Sequence, residues 1–342
     1  MWGSPMPVDV TVVSAFYNRQ DSVDASVTSL AMQDFPSFRA IIVDDGSRDD
    51  TFPALQRHAS DRIEVRRQAN IGFTRTMIAL CAEATSEFIA VHGAGDESFP
   101  HRLAAQVAFL RAHPEVVAVG CGIENVDELT GRCWEVRPAK LVRKGPISGD
   151  FAISHGEVMF RRDAYLQAGG YRAAFTVGQA SDLFRRMSRL GDFGYVDDIL
   201  YRRYLRLDGV NAKPEQVAKR EILAAISIAA HQQALAAGDA GGKDELDQFA
   251  LLYPYFSNPD ATIAKSLARA AVMLWVGGDR AMALRLGRRS LGEHWTVKGC
   301  AAFIMVALGT GLLRAPMLKF ARGMSQGEGE FDFARINGAS RD

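Results

Sequence analysis

The sequence predicts an α/β protein: a doubly wound, mostly parallel sheet followed by a helical C-terminal extension. Three observations predict it. Apolar, β-branched runs alternate with amphipathic segments from Val10 to Gly122, the order that builds successive βαβ units. The run Arg39 to Val43, RAIIV, lacks the polar–apolar alternation of a half-exposed strand; a strand without alternation is buried on both faces, as in a parallel sheet. After Pro214 the chain changes to long segments with apolar residues at helical spacing, such as Ile222, Ile226 and Ala230.

The elements follow in order. Val10 to Ser14 is the first strand, and Asp21 to Met32 a helix with Val23, Val27 and Leu30 on one face. Arg39 to Val43 is the second strand, Asp49 to His58 a short helix, and Arg62 to Gln68 the third strand. Asn70-Ile71-Gly72 turns into a helix over Phe73 to Ala84, and Glu87 to Ser98 is a strand ending in a polar loop. Ser98 and Pro100 suit the cap and first turn of a helix whose apolar face is Leu103, Val107 and Leu110. Val116 to Gly122 is a further buried strand. The pattern is mixed from Asp127 to Tyr204 and closes on YRRYLRLDGVN, Tyr201 to Asn211. Helices then span Gln216 to Ala237, Ala261 to Trp275 and Arg280 to Leu291, with a flexible loop over Gly238 to Asp244. The expected domains are 1–213, a helical 214–322, and a Gly- and charge-rich tail, 323–342, without the apolar content to fold.

The chain has 342 residues, with 40 basic against 40 acidic side chains. A formal charge of zero argues against a nucleic-acid binder. Cys81, Cys121, Cys133 and Cys300 are scattered without a CxxC pair, so neither a disulfide framework nor a zinc site is expected. The N-terminus lacks a charged region followed by an apolar core, which predicts a cytoplasmic protein. Gly299 to Leu313 is the longest mostly apolar stretch, shorter than the roughly 17–25 residues of a spanning helix. A buried helix is expected there. Its flanks, Lys298 and Arg314, keep a second reading open: peripheral contact with the inner face of the membrane. The C-terminal helices are otherwise core or a homo-oligomer interface.

Ligands in open α/β sheets sit outside the carboxyl ends of the strands. Three expected strand ends carry polar groups there: Tyr17-Asn18-Arg19, Asp44-Asp45 and Asp96-Glu97. One alone would be an ordinary turn; three together indicate a ligand site. Neither GxGxxG after the first strand nor GxxxxGK[ST] is present, so a dinucleotide or P-loop triphosphate site is unsupported. A carboxylate after the second strand can accept hydrogen bonds from a base or ribose, and a later one can hold Mg²⁺ or Mn²⁺ against a diphosphate.

Val10 to Thr51, with Tyr17-Asn18-Arg19 and Val43-Asp44-Asp45-Gly46-Ser47, resembles the opening of the inverting glycosyltransferase family 2, which has the GT-A fold. NIGFTR (Asn70 to Arg75), EFIAVHGAGDESFPHRL (Glu87 to Leu103), VMFRRDAYLQAGGYR (Val158 to Arg172) and SDLFRRM (Ser181 to Met187) resemble later landmarks of that family, in order. The resemblance covers roughly residues 8–211. It implies a hexosyltransferase of cell-surface polysaccharide biosynthesis. Such an enzyme moves a sugar from a nucleotide-diphosphate donor to a glycan, lipid-linked or protein acceptor, with a divalent cation (Mn or Mg). By the same resemblance Asp44 and Asp45 read base and ribose, and Ala15, Phe16, Tyr17, Asn18 and Arg19 line the nucleoside, with Ala15 at the usual proline. Asn70, Gly72 and Arg75 border the diphosphate, and His155, Gly170 and Tyr171 stand on the acceptor side.

Two motifs depart from the family. Its Asp-x-Asp falls on Gly93-Ala94-Gly95, leaving Asp96 as the metal-binding acid, with Glu97 beside it. The acidic pair of the catalytic base falls on Gln179-Ala180, and the nearest carboxylate, Asp182, is expected to be the general base, kept ionised by Arg185 and Arg186. With the metal motif thinned, the basic run Arg202, Arg203 and Arg206 could fold over the diphosphate, Arg203 and Arg206 contacting the donor. His92 could add a metal or phosphate contact. The alternative is a catalytically impaired GT-A scaffold or partner-binding protein.

Overall fold

The computed structural model describes residues 8–128, 130–137, 142–147, 151, 153–206, 214–236, 238, 267–269, 271–272, 274–275, 280–293 and 297–308. Ten strands form one sheet: β1 Val10–Phe16, β2 Phe38–Asp44, β3 Ile63–Arg67, β4 Phe88–Val91, β5 Glu97–Ser98, β6 Val116–Asp127, β7 Cys133–Val136, β8 Val142–Arg143, β9 Met159–Arg161 and β10 Asp192–Leu205. Their order is β3-β2-β1-β4-β9-β6-β10-β5, with β7 on β6 and β8 on β10. β1 pairs in parallel with β2 and β4, β2 with β3, and β6 with β10. β9 lies antiparallel between β4 and β6. The sheet is therefore mostly parallel, as the unbroken apolar runs require.

Helices cover both faces: α1 Val23–Ala31, α2 Thr51–Gln56, α3 Phe73–Glu83, α4 Arg102–Ala112, α5 Arg162–Gln167 and α6 Gln179–Met187. Residues of β1 and β2 divide between two cores by strict alternation. Val12, Phe16, Ala40 and Ile42 pack with Val23, Val27 and Leu30 of α1 and with Leu103, Val107 and Leu110 of α4. Val13, Ala15, Ile41 and Val43 pack with Met77, Leu80 and Cys81 of α3 and Leu183, Phe184 and Met187 of α6. Each buried Val, Leu, Ile, Phe or Met among them contributes roughly 1.5–3 kcal/mol, so the apolar stripes predicted from spacing hold the three layers together.

The sequence reading misplaced two features. Ser98 does not cap α4; it forms β5, and His101 is the cap residue. The stretch from Asp127 to Tyr204, read as mixed, contains most of the long strand β10, whose pairing with β6 shifts register between Val196 and Ile199 and again between Ile199 and Tyr201. Opposite the first shift lies Gly122, where a Cβ would stand 2.8 Å from the Asp198 carbonyl oxygen. The irregularity re-aims the end of β10, as bulges do.

The chain divides into two compact units, 1–147 with 151–206 and 237–243, and 148–150 with 207–236 and 244–342. In the second, α7 Pro214–Ala236, α8 Arg280–Glu293 and α9 Val297–Leu308 are helical. Ala268, Ala271, Val272, Leu274, Ala283, Ala302 and Val306 form its described core. Among the described residues no helix is long and apolar enough to cross a membrane. The expected loop, apart from Gly238, and the tail 323–342 lie outside the described residues.

Gly122→Val places a branched side chain against the β10 backbone. It is expected to lower unfolding free energy by about 1–3 kcal/mol, the usual cost of overpacking, measured by urea denaturation.

Candidate active site

The turns after β1 and β2 are tied to each other by hydrogen bonds. The Asp45 amide donates to the Phe16 carbonyl at 2.8 Å, the Asn18 amide to Ser47 Oγ at 2.9 Å, and the Arg48 amide to Asn18 Oδ1 at 2.9 Å. The Arg19 amide donates to Thr51 Oγ1 at 2.7 Å. Asn18 adopts a φ of 50°, a left-handed conformation that asparagine tolerates better than most residues. These bonds explain why two apolar strands stop at short polar turns: each turn supplies partners to the other. Tyr17 is 42% exposed, whereas the Phe16 ring lies wholly in the core. Phe16 was expected to line the nucleoside; its ring cannot, and its contribution is the carbonyl.

Asp44 and Asp45 are both buried but differently employed. Asp45 Oδ1 accepts from Gln68 Nε2 at 2.8 Å and the Ile71 amide at 3.0 Å, and Oδ2 from the Gly72 amide at 2.9 Å. Asn70 Nδ2 donates to the Asp45 carbonyl at 2.8 Å. Gly46, at φ +74°, leaves room for this turn: a Cβ there would stand 2.7 Å from the Asn70 nitrogen. Asp45 thus shapes the loop that holds Asn70 and Gly72. Asp44 Oδ1 accepts from the Ser47 amide at 3.2 Å. Its Oδ2 has no hydrogen-bond donor among the described residues, although Arg67 Nε forms an ion pair with it at 3.2 Å.

The loop after β4 is built around Asp96. Its Oδ2 accepts from the Tyr201 hydroxyl at 2.9 Å and its Oδ1 from the Tyr204 amide at 3.1 Å. Tyr201 in turn accepts from the Gly93 amide at 2.9 Å. Burial pushes the Asp96 carboxyl up to about 6, against the opposing pull of the Tyr204 amide, the Tyr201 hydroxyl, Arg206 and Arg203. Arg206 Nη2 donates to the Gly95 carbonyl at 2.9 Å, Nε pairs with Glu128 at 2.8 Å, and Nη1 lies 4.0 Å from Asp96. Arg203 Nε donates to Asn125 Oδ1 at 2.9 Å. Arg202 faces the other way, toward Glu124 and Glu97. His92 sits beneath the loop between Ser26 Oγ and Ser98 Oγ, at 2.9 and 3.0 Å. Burial and the Arg102 charge hold it near 3, so it is a neutral structural histidine.

His155 shares a 2.6 Å hydrogen bond with the Tyr171 hydroxyl and packs edge-on to Phe73, with centroids 5.5 Å apart. Desolvation lowers it to about 4. A Cβ on Gly156 would lie 2.7 Å from the Tyr201 hydroxyl and 3.3 Å from Asp96 Oδ2, so this loop abuts the Asp96 cluster. Gly169 and Gly170, at φ 81° and 68°, end α5: the Gly170 amide donates to the Tyr165 carbonyl at 2.9 Å. Gly170 is thus a helix stop, and Tyr171 carries the contact with His155. Arg75 is exposed on α3.

Asp182 departs most from expectation. It is 2% exposed on α6 and pairs with Arg186 Nη2 at 2.7 Å and Arg172 Nη1 at 3.4 Å. A general base must meet an acceptor hydroxyl; this carboxylate meets two buried guanidinium groups instead. The Arg172 pair ties α6 to the segment after α5. Arg186 pairs with it, as expected, and Arg172 is a further guanidinium beside it.

Sequence reasoning missed Tyr201, Tyr204, Gln68 and Arg102. Arg102 is wholly buried: it donates to the Val91 carbonyl and to Ser98 Oγ, and lies 5.1 Å over the Tyr201 ring. A period-of-two reading of Tyr201 to Leu205 separates Arg202 from Arg203; Arg206 lies just past the strand, where that period no longer places it.

This fold and these strand-end groups define a GT-A-like glycosyltransferase. A model described as "Glycosyl transferase family 2" matches residues 11–167. EpsE of Bacillus subtilis (strain 168), by its name a glycosyltransferase, is 31% identical over 204 residues, covering 56% of this chain and 72% of that protein. AmsE of Erwinia amylovora, named an amylovoran biosynthesis glycosyltransferase, is 22% identical over 59% of this chain and 79% of its own. The chain belongs to glycosyltransferase family 2. Among solved structures, S. aureus TarS 1–349 in complex with UDP superposes with a TM-score of 0.56 at 15% identity, over 89% of this chain and 92% of that one. The mannosyltransferase PcManGT of Pyrobaculum calidifontis, in complex with GDP-Man and Mn²⁺, does so at 0.52 and 18% identity, over 94% and 85%.

Asp182→Ala would take away the carboxylate that two buried guanidinium groups share and is expected to cost about 3–5 kcal/mol of stability, read from chemical denaturation. A second expectation concerns pH. Burial raises the Glu157 carboxyl from 4.5 to about 6, opposed by the Ser154 hydroxyl, the Arg203 charge and the Ser154 amide. A raised carboxyl favours the protonated fold, so stability is full below pH 4.5 and falls as pH rises through about 6. Glu157→Gln cannot ionise. Its stability should gain on the unsubstituted chain by about 2 kcal/mol across that window and by nothing further above it.

Proposed function

We propose that this family 2 glycosyltransferase takes its sugar from a nucleoside-diphosphate donor bound at the carboxyl ends of β1, β2 and β4. The observation that carries the reading is convergence. The turns after β1 and β2 are hydrogen-bonded to each other, the 70–72 loop hangs from Asp45, and the loops at Gly93–Asp96 and His155–Gly156 meet at Tyr201. Asp44 Oδ2, buried without a donor among the described residues, would accept from the base or ribose. Tyr17, Asn18 and Arg19 would flank the nucleoside, and Ala15 lies beneath them in β1. Asn70, Gly72 and Arg75 would stand nearest the phosphates.

The TarS and PcManGT complexes, with UDP and GDP-Man, support a nucleotide donor. AmsE supports a place in polysaccharide biosynthesis. The acceptor, a glycan, lipid-linked sugar or protein, would enter past Phe73, His155 and Tyr171, where a neutral imidazole can hydrogen-bond a hydroxyl without repelling a cation. Attack on the anomeric carbon opposite the leaving diphosphate would invert the configuration. The transferase domain is placed at 1–213 and the helical domain at 214–322, with peripheral membrane contact or self-association as the role of the latter.

Incubating the full chain with a panel of UDP-, GDP- and TDP-sugars should release the matching diphosphate. Asp44→Asn should weaken donor binding about tenfold or more, the loss expected for one charged hydrogen bond. Undiminished donor affinity in Asp44→Asn would remove the nucleoside from this strand end.

A further inference from the structure

The loop after β4 does not fit a divalent cation. A site for Mg²⁺ or Mn²⁺ needs hard oxygen ligands free to face the metal. Here Glu97 is turned to Arg202 and the Tyr204 hydroxyl, and each oxygen of Asp96 already accepts a hydrogen bond from β10. The backbone oxygen that could assist it, that of Gly95, accepts from Arg206. Among the described residues, no group of three or more His, Cys, Asp or Glu side chains could hold a metal ion.

Neither glycine has room for a side chain while its neighbours stand where they do. A Cβ on Gly93 would lie 2.4 Å from Asp96 Oδ2. On Gly95, whose φ is +85°, it would lie 2.5 Å from Ser22 Oγ and 3.0 and 3.1 Å from the terminal nitrogens of Arg206. A side chain at 95 would require Ser22 Oγ and the Arg206 guanidinium to shift from their present seats.

We infer that Arg206, with Arg203 beside it, supplies the positive charge that the donor's diphosphate requires, in place of a divalent cation. The inference rests on the donor reading above. Three contacts fix the Arg206 guanidinium in position. Glu128 holds Nε, the Gly95 carbonyl holds Nη2, and the Tyr204 ring lies 5.1 Å beneath the group. Among the described residues Nη1 has no hydrogen bond; it stands 4.0 Å from Asp96. Arg203 is hydrogen-bonded through Nε alone among the described residues, which leaves its terminal nitrogens without a hydrogen bond there. Guanidinium groups are planar forks that suit phosphate oxygens.

The test is calorimetric titration of the full chain with UDP, GDP and TDP, in EDTA and again with Mn²⁺. At least one diphosphate should bind in EDTA with a Kd within about threefold of its value in Mn²⁺. Arg206→Ala should weaken that binding about tenfold or more in both buffers, and Arg206→Lys should recover part of it. A Kd that tightens about tenfold or more on adding Mn²⁺ would overturn the inference and leave the donor reading intact. So would unchanged binding in Arg206→Ala. If no diphosphate binds in either buffer, the donor reading falls and this inference with it. Should Arg206→Ala fail to fold, the EDTA comparison on the unsubstituted chain still decides.

Discussion

A carboxylate buried at the end of a parallel strand must be satisfied by the protein or be neutral, and Asp96 organises the site around that requirement. β10 answers it twice, with the Tyr201 hydroxyl and the Tyr204 amide. To do so the strand has to break register opposite Gly122 and arrive beside the β4 loop. Once there it brings Arg203 and Arg206 with it. The basic end of β10 and the glycine-rich end of β4 are thus one unit, and neither arrangement makes sense without the other.

The same logic explains the opposite side of the site. Asp45 commits its acceptors to Gln68, Ile71 and Gly72, and Asn18 its own to Arg48. These residues are shape-givers: they hold backbone in place so that neighbouring groups can be offered to a ligand. Asp44 Oδ2, by contrast, has an ion pair with Arg67 but no hydrogen-bond donor among the described residues.

Much of the sheet was legible because its signals are local. RAIIV has no alternation, and β2 is buried on both faces; Val23, Val27 and Leu30 recur at helical spacing, and α1 buries all three. What escaped was set by distant partners. The role of Tyr201 depends on Gly93 and Asp96, more than a hundred positions earlier in the chain, and no window of sequence contains both. Asp182 shows the converse, a local motif whose surroundings are set from afar. Its place in SDLFRRM suggested a base, but Arg172, brought in by the turn after α5, completes an ion pair with it. Phe16 sits one residue from an exposed tyrosine, and alternation along β1 turns it into the core.

Arginine, not a metal ion, meets the phosphates at the end of β4: that is the central claim. A crystal of the chain soaked with a bound nucleoside diphosphate and Mn²⁺, with data collected at the manganese edge, tests it directly. The account predicts phosphate oxygens within hydrogen-bonding distance of Arg206 and no anomalous peak between them and Asp96. A manganese peak bridging Asp96 and the diphosphate would contradict it.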